Sequence, residues 1–391
     1  MTQDREALDA LRREIRAFLA AELAPDLRQR LRRGEFARRE DLVTWQRTLW
    51  RRGWGAPNWP RAFGGTGWSD LEQLVFLDEC SAAPAPAPHV FNITMLGPVL
   101  IRFAAAAQRD AWLPRLLAAD VLFCQGFSEP GAGSDLASLR TTARRDGGDY
   151  VVDGQKIWTT SAHYADWIFC LVRTDPAAKK QQGISFLLID LQSPGITVRP
   201  IISIDGRHSL NEVFFDAVRV PAGNLVGEEN RGWDYARFLL GNERASIAGV
   251  ARTRERLDYA CALAGQAWRG GRPLLQDPEF RSRSERLRAE LEVLDRTQHR
   301  LLAGEAAPAD RVAGASVLKV KGTELFQRTL DLLLEVAGPA GLRFPAAGGF
   351  GPDPREPLGV QHLYGRAASI YGGANEVQKN ILAKHVFDST P

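Results

Sequence analysis

Between Val121 and about residue 225 the sequence loses the helical periodicity that it keeps on either side. Leu139 to Arg145, Tyr150 to Val152, Trp167 to Arg173, Ile184 to Asp190, Ile196 to Ile202 and Glu212 to Phe215 are short runs rich in β-branched and aromatic residues. Asp146-Gly147-Gly148, Asp153-Gly154 and Pro194-Gly195 punctuate them as turns. Strands at this spacing predict a compact antiparallel barrel or sandwich. Ahead of it, Leu8, Leu11, Ile15, Phe18, Leu19 and Leu23 recur every three or four residues, and helical patterns return at 41–50, 69–81, 94–103 and 108–118. Behind it they run from Trp233 through Cys261 as one long helix, then over 278–303, 310–336 and 373–387. The order predicts an α+β multidomain chain: an N-terminal α-helical domain at 1–120, a central β domain at 121–228 and a C-terminal four-helix bundle at 229–391.

A chain of 391 residues exceeds the ~250–300 at which single cores stop growing, which agrees with several domains. The formal charge of +3 is small and spread out, so no nucleic-acid partner is indicated; the basic run Arg28 to Arg39 reads as a solvated helix face. Cys80, Cys124, Cys170 and Cys261 are far apart, with no Cys-x-x-Cys pair, so neither a metal site nor a redox dithiol is expected. The polar start Met1 to Glu6 lacks a signal-peptide core, and no run approaches the ~18 apolar residues of a membrane span, so a cytoplasmic protein is expected. No Gly-x-Gly-x-x-Gly follows a strand, which leaves a Rossmann domain without support.

The chemistry concentrates at Gln125 to Asp135 and at Lys156 to Thr160. Gly126, Gly131 and Gly133 let backbone approach a flat or anionic ligand, and Ser128 and Ser134 add hydroxyls. Trp158 offers a ring to stack on a planar heterocycle, with Thr159 and Thr160 beside it to bond its edge. On chemistry alone this is a cofactor pocket or, as the plain alternative, a glycine-rich loop before a hairpin.

The words Gly126-Phe127-Ser128-Glu129-Pro130-Gly131-Ala132-Gly133-Ser134-Asp135, Val152-Asp153-Gly154-Gln155-Lys156-Ile157-Trp158-Thr159-Thr160 and Tyr371-Gly372-Gly373-Ala374-Asn375-Glu376-Val377-Gln378-Lys379-Asn380-Ile381, in that domain order, resemble the acyl-CoA dehydrogenase family of flavoproteins over nearly the whole chain. The run Trp158 to Pro176, with Gly241-Asn242-Glu243-Arg244, is similar to the large subunit of pimeloyl-CoA dehydrogenases. The resemblance implies FAD between the β domain and the bundle, held by Gln125, Phe127, Ser128, Gly133, Ser134, Trp158, Thr159, Thr160 and Asn375. It implies an acyl-CoA substrate touched by Ser134, Gly241, Arg244 and Gly373. Electron-transfer flavoprotein is the implied electron acceptor.

The implied reaction removes a proton beside the thioester and passes a hydride from the next carbon to flavin, giving the trans-2-enoyl-CoA. Many family members place the base after the tyrosine of the third word, where this chain has Gly372. Others supply it from the long helix in a Glu-Arg pair, here Glu243-Arg244, which makes Glu243 the candidate; a helix-surface ion pair with Arg237 or Arg244 is the plain alternative. Family homotetramers also carry an arginine, phenylalanine and glycine run and a glutamine before paired glycines, both reaching the next subunit's FAD. Here these read Arg269-Gly270-Gly271-Arg272-Pro273 and Glu335-Val336-Ala337-Gly338-Pro339, with no phenylalanine and with a carboxylate that would repel a pyrophosphate. A homo- or heterotetramer is implied, the latter with a related small subunit. The competing functions are a flavin monooxygenase or oxidase of the same fold and a non-catalytic subunit of a heteromeric dehydrogenase. His163 and His208 read as solvent-exposed or hydrogen-bonded loop histidines, and Arg207 and His208 as candidate contacts for a CoA phosphate or a substrate's distal carboxylate.

Overall fold

Six helices lead the chain: α1 (Thr2–Glu22), α2 (Pro25–Arg32), α3 (Arg39–Arg51), α4 (Asp70–Ala82), α5 (Gly97–Phe103) and α6 (Ala106–Leu117). The computed structural model describes residues 2–304, 308–344, 350–351 and 353–388, with the backbone path alone for 2–5, 242–247, 308, 309, 311 and 388. The periodicity that predicts α1 buries Ile15, Leu19 and Leu23 against Trp45, Leu49 and Phe76. Ser69 caps α4 by accepting the Glu72 N–H, and the Glu72 carboxylate returns to the Ser69 N–H.

Ahead of α5 the chain makes a π-helical turn at Val90–Leu96, where the sequence suggests regular helix from residue 94. The tryptophan-rich loop before α4 explains the difference. Trp59 donates its indole N–H to the Ile93 carbonyl at 2.7 Å, and its ring lies so close to Gly97 that a Cβ there would be 1.9 Å away. The turn is shaped around the indole.

The β region is one seven-stranded sheet: β1 (Phe123–Gly126), β2 (Thr142–Asp146), β3 (Asp149–Lys156), β4 (Trp167–Arg173), β5 (Ile184–Asp190), β6 (Ile196–Ile202) and β7 (His208–Pro221). Its order is β1-β4-β2-β3-β7-β6, with β5 also pairing β4. Pairings are antiparallel except where β4 runs parallel to β1 and, at Thr142 and Arg173, to β2.

The C-terminal helices are α7 (Gly232–Ile247), α8 (Val250–Ala264), α9 (Pro278–Leu302), α10 (Pro308–Ala337), α11 (Leu358–Gly365) and α12 (Asn375–Asp388), with a small hairpin of β8 (Trp268–Arg269) and β9 (Arg272–Pro273) between α8 and α9. The single long helix suggested from Trp233 to Cys261 divides at Ala248-Gly249, where Gly249 has φ +54°. The cause lies on α10: a Cβ on Gly322 would be 2.3 Å from the Ala248 carbonyl oxygen, so the two backbones touch at the break.

One apolar core runs through all three regions. It joins Trp59, Leu96 and Leu100 to Phe123, Phe169 and Phe186 of the sheet and to Tyr235 and Leu239 of α7. At ~1.5–3 kcal/mol for each large side chain fully buried, it clamps α7 onto the sheet and the N-terminal helices. A second core around Leu257, Leu291, Leu318 and Leu333 holds the bundle. Among the described residues no helix is long and apolar enough to cross a membrane.

Candidate active site

β1 ends at Gly126, where a Cβ would be 2.6 Å from Ile168 of β4; glycine lets the two strands lie close. Phe127 is buried with its ring edge-on to Phe169 at 5.8 Å and Phe186 at 6.2 Å. Glu129 and Ala132 then exchange two backbone hydrogen bonds of 3.0 Å, closing a tight turn over Pro130-Gly131. Gly131 and Gly133 have nothing within 4 Å of a Cβ position, and Gly133, Ser134 and Asp135 are exposed. This rim is open backbone with an exposed serine.

The turn is fastened from inside. The Glu129 carboxylate accepts N–H groups of Arg140 at 2.6 Å and Thr141 at 2.9 Å and an ammonium hydrogen of Lys156 at 2.8 Å. Lys156 donates also to the Phe127 carbonyl at 3.2 Å. Burial alone would raise the Glu129 pKa, but the Lys156 charge and these hydrogen bonds outweigh it and hold the carboxyl below its usual range. Next to it the Ile157 N–H donates to the Ser128 carbonyl at 3.0 Å, so the two glycine- and tryptophan-bearing segments lie side by side.

Beyond Ile157 the backbone kinks. Trp158 has φ +61° and Ser161 φ +68°, left-handed values that cost a non-glycine residue and that gather at binding sites. Trp158 is 56% exposed, whereas Thr159 beneath it is buried with an Oγ1 that has no hydrogen-bond partner among the described residues. Thr160 and Gln125 are half-buried.

Asn211 of β7, wholly buried, imposes the kink. Its carbonyl accepts the Thr159 N–H at 2.9 Å and its amide Nδ2 donates to the Thr159 carbonyl at 2.9 Å. His208 Nε2 lies 2.8 Å from Asn211 Oδ1, and His163 Nδ1 3.3 Å from Nδ2. The two imidazoles stand 4.1 Å apart, and burial, then the His208 charge, lower the His163 pKa. His163 sits in a turn, as the sequence suggests, but His208 is the first residue of β7; both contact the Asn211 side chain. Arg207 is not open to a substrate anion: it binds Asp205 at 2.6 Å and the Gly34 carbonyl at 3.0 Å and covers the Phe36 ring at 3.8 Å.

On the bundle side, Glu243 and Arg244 lie on the backbone of α7, and their side chains fall outside the described residues. Gly241 on the same helix is exposed and lines a cavity of about 630 Å³ with Thr94, Ile101 and Phe238. Gly372 and Gly373 have φ +64° and +81°. Asn375 turns its amide into the bundle, where its Oδ1 accepts from Lys319 Nζ at 2.7 Å and Thr323 Oγ1 at 3.2 Å; its side chain pins α12 to α10. Glu335 is bridged by Arg269 at 2.9 Å and Arg283 at 2.7 Å, so its charge is matched within the chain.

Sequence reasoning missed Asn211 and the Glu129–Lys156 pair as site-builders. A buried asparagine in a strand of alternating pattern is a weak signal, but a glutamate and a lysine inside two glycine- and aromatic-rich words were visible.

Family models for the acyl-CoA dehydrogenase N-terminal, middle and C-terminal domains match residues 5–120, 124–218 and 230–387. The chain is 36% identical over 393 residues to acyl-CoA dehydrogenase FadE26 of Mycobacterium tuberculosis, covering 96% of this chain and 95% of that one, and 37% identical over 380 residues to FadE29 of the same organism, covering 95% and 94%. Among solved structures it superposes on a chain of the ChsE4-ChsE5 complex from M. tuberculosis with a TM-score of 0.83 and 35% identity, over 98% of each chain. A structure titled Tcur3481-Tcur3483 steroid ACAD gives 0.85 at 32% identity, over 99% of this chain and 98% of that one. The chain belongs to the acyl-CoA dehydrogenase family, oxidoreductases with FAD as their cofactor.

Proposed function

We propose that the chain catalyses α,β-dehydrogenation of an acyl-CoA thioester to the trans-2-enoyl-CoA, with Glu243 as the base. The observation that carries this reading is the strained Trp158–Ser161 kink, which presents an exposed indole above a buried threonine hydroxyl with no partner among the described residues. A flat heterocycle with polar edges fits that pair. Trp158 would cover the flavin face, Thr160 and Ser128 would bond its edge, and Ser134 on the open glycine rim would meet the pyrophosphate and the pantetheine. FAD, when bound, accepts the hydride lost from the β-carbon.

The chain's own work is to orient the thioester and to take the α-proton. Glu243 needs an apolar setting for that, because desolvation raises a carboxylate's proton affinity. Phe238 and Leu239, a turn earlier on α7, belong to the apolar core. Two relatives are titled as pairs of different chains, and Arg269 is engaged by Glu335 inside this chain. Both support a heterotetramer with a related small subunit, passing electrons to electron-transfer flavoprotein. The cavity beside Gly241 falls within the ~300–1,000 Å³ range that encloses drug-sized ligands, and one relative is titled a steroid ACAD; both favour a bulky acyl group over the flexible carboxylate-ended chain of pimeloyl-CoA.

The test is anaerobic bleaching of the yellow protein, alone and with its small subunit, by a panel of straight, dicarboxylyl and polycyclic acyl-CoA esters. Bleaching by a thioester supports the reading; a flavin that none of them bleaches in either preparation would sink it.

A further inference from the structure

The cavity of about 630 Å³ lies between α4, the π-helical turn, α5 and the α7–α8 junction. Gly241, two positions before Glu243, opens onto it, and Leu74, Leu77, Pro98 and Ile101 give it apolar walls. α4 adds Asp78, a half-buried carboxyl that also borders a second, charged cleft reaching α1 and α9. Among the described residues nothing hydrogen-bonds this carboxyl.

Charged groups face Asp78 from every neighbouring helix. On α1, Arg12 is 3.0 Å from Glu79, which Arg16 also holds at 2.7 Å. On α8, Arg254 binds Asp295 of α9 at 3.2 Å, and His299 lies 3.9 Å from the same carboxylate. Donor atoms of Asp78, Asp295 and His299 all lie within 4.8 Å of one another, but Arg254 already supplies positive charge there. Asp295 is ion-paired to Arg254, whereas no ion pair of Asp78 is seen among the described residues. Burial, then the Asp295 charge, push the Asp78 pKa up to about 7 against an opposing pull from Arg254 and Arg12.

We propose that Asp78 is a specificity-determining residue: as the neutral acid it donates a hydrogen bond to a ketone or hydroxyl oxygen carried on the acyl group away from the thioester. Asn58 lines the same cavity with an Oδ1 that has no partner among the described residues, an acceptor for the hydrogen of a substrate hydroxyl. Arg102 and Arg252 also line the cavity, so a carboxylate-ended acyl group is the competing occupant that the test includes. The inference rests on the dehydrogenase reading and deepens it by naming the substrate class.

The test uses anaerobic flavin bleaching by size-matched acyl-CoA esters, one with a distal ketone and one with a methylene in its place, together with a dicarboxylyl ester. Wild type, D78N and D78L are compared, with flavin content and thermal unfolding checked for each; D78N carries the test if D78L does not fold. In D78L, kcat/KM should fall about tenfold more for the ketone ester than for the methylene ester, the share of one hydrogen bond. Wild-type kcat/KM for the ketone ester, relative to the methylene ester, should decline as pH rises through about 7, whereas D78N, whose amide still donates, should hold its ratio. Equal losses on both esters, no loss on either, a flat wild-type ratio, or best turnover of the dicarboxylyl ester would overturn the assignment while leaving dehydrogenation standing. No bleaching by any ester would overturn the dehydrogenase reading and this one with it.

Discussion

Lys156 Nζ stands 2.8 Å from Glu129 Oε1, with the lysine side chain wholly buried, and this ion pair, with the Lys156 bond to the Phe127 carbonyl, ties the glycine-rich rim to the strand that leads into Trp158. A buried pair stripped of one partner leaves an uncompensated charge, a cost of ~3–5 kcal/mol, whereas replacing both by apolar residues is often close to neutral. K156M should therefore lower stability by several kcal/mol and release FAD. A K156M/E129L double variant should recover stability relative to K156M, though not full FAD affinity, because the rim loses its fastening to the Arg140 and Thr141 N–H groups. Urea unfolding with flavin fluorescence on the same samples reads both quantities.

Asn211 makes a narrower prediction. Its side chain donates to the Thr159 carbonyl and spans two histidines, so N211A should relax the left-handed kink while the β7 ladder keeps its backbone bonds. FAD affinity is expected to weaken about tenfold, with unfolding shifted by no more than ~1–2 kcal/mol. An unchanged FAD dissociation constant would remove Asn211 from the list of positioning residues.

Two titrating groups, one buried and one half-buried, give opposite pH slopes to stability. His89 is buried, and its Nδ1 accepts the Asn92 N–H at the start of the π-helical turn. Burial pushes its pKa down to about 4, and the fold favours the neutral ring. That contribution, about 3 kcal/mol, is complete above pH ~6.5 and is lost as pH falls toward 4. Asp78 runs the other way: its raised pKa favours the protonated fold, so its contribution is complete below pH ~4 and lost as pH rises to about 7. H89Q should flatten the acid limb of a stability-against-pH curve. D78N should match wild type near pH 4 and exceed it at pH 8.

What could be read from the sequence was local. The capping residues Ser69 and Glu72, the hairpin turn at Gly147 and the rim from Gly126 to Ser134 act within a few positions, and each appears where its spacing places it, whereas Asp153-Gly154, read as a turn, is an irregularity inside β3 where the register against β7 shifts between Val152 and Gly154. What could not be read depends on residues far apart in the chain. The apolar pattern runs unbroken across Ala248-Gly249, and the break there comes from Gly322 on another helix. The π-helical turn answers to Trp59, the Trp158 kink to Asn211, and the character of Asp78 to Asp295 on α9.

The base assignment yields the most demanding prediction. E243Q keeps size and removes proton-accepting ability, so it should retain FAD and thioester binding while dehydrogenation falls by ~10²–10⁴-fold or more. An oxygen-using enzyme of the same fold would keep oxygen-dependent turnover in this variant, which separates the two functions in one comparison. The alternative base position is also testable, because Gly372 sits at φ +64° with Gly373 following at +81°. A glutamate there must adopt a left-handed backbone that costs an L-residue ~1–2 kcal/mol, so E243Q/G372E should regain little of the lost rate. Full recovery in that double variant would show that the segment can reshape around a carboxylate. Recovery near zero, with FAD still bound, would mean that the left-handed backbone as well as the missing side chain keeps the base on α7.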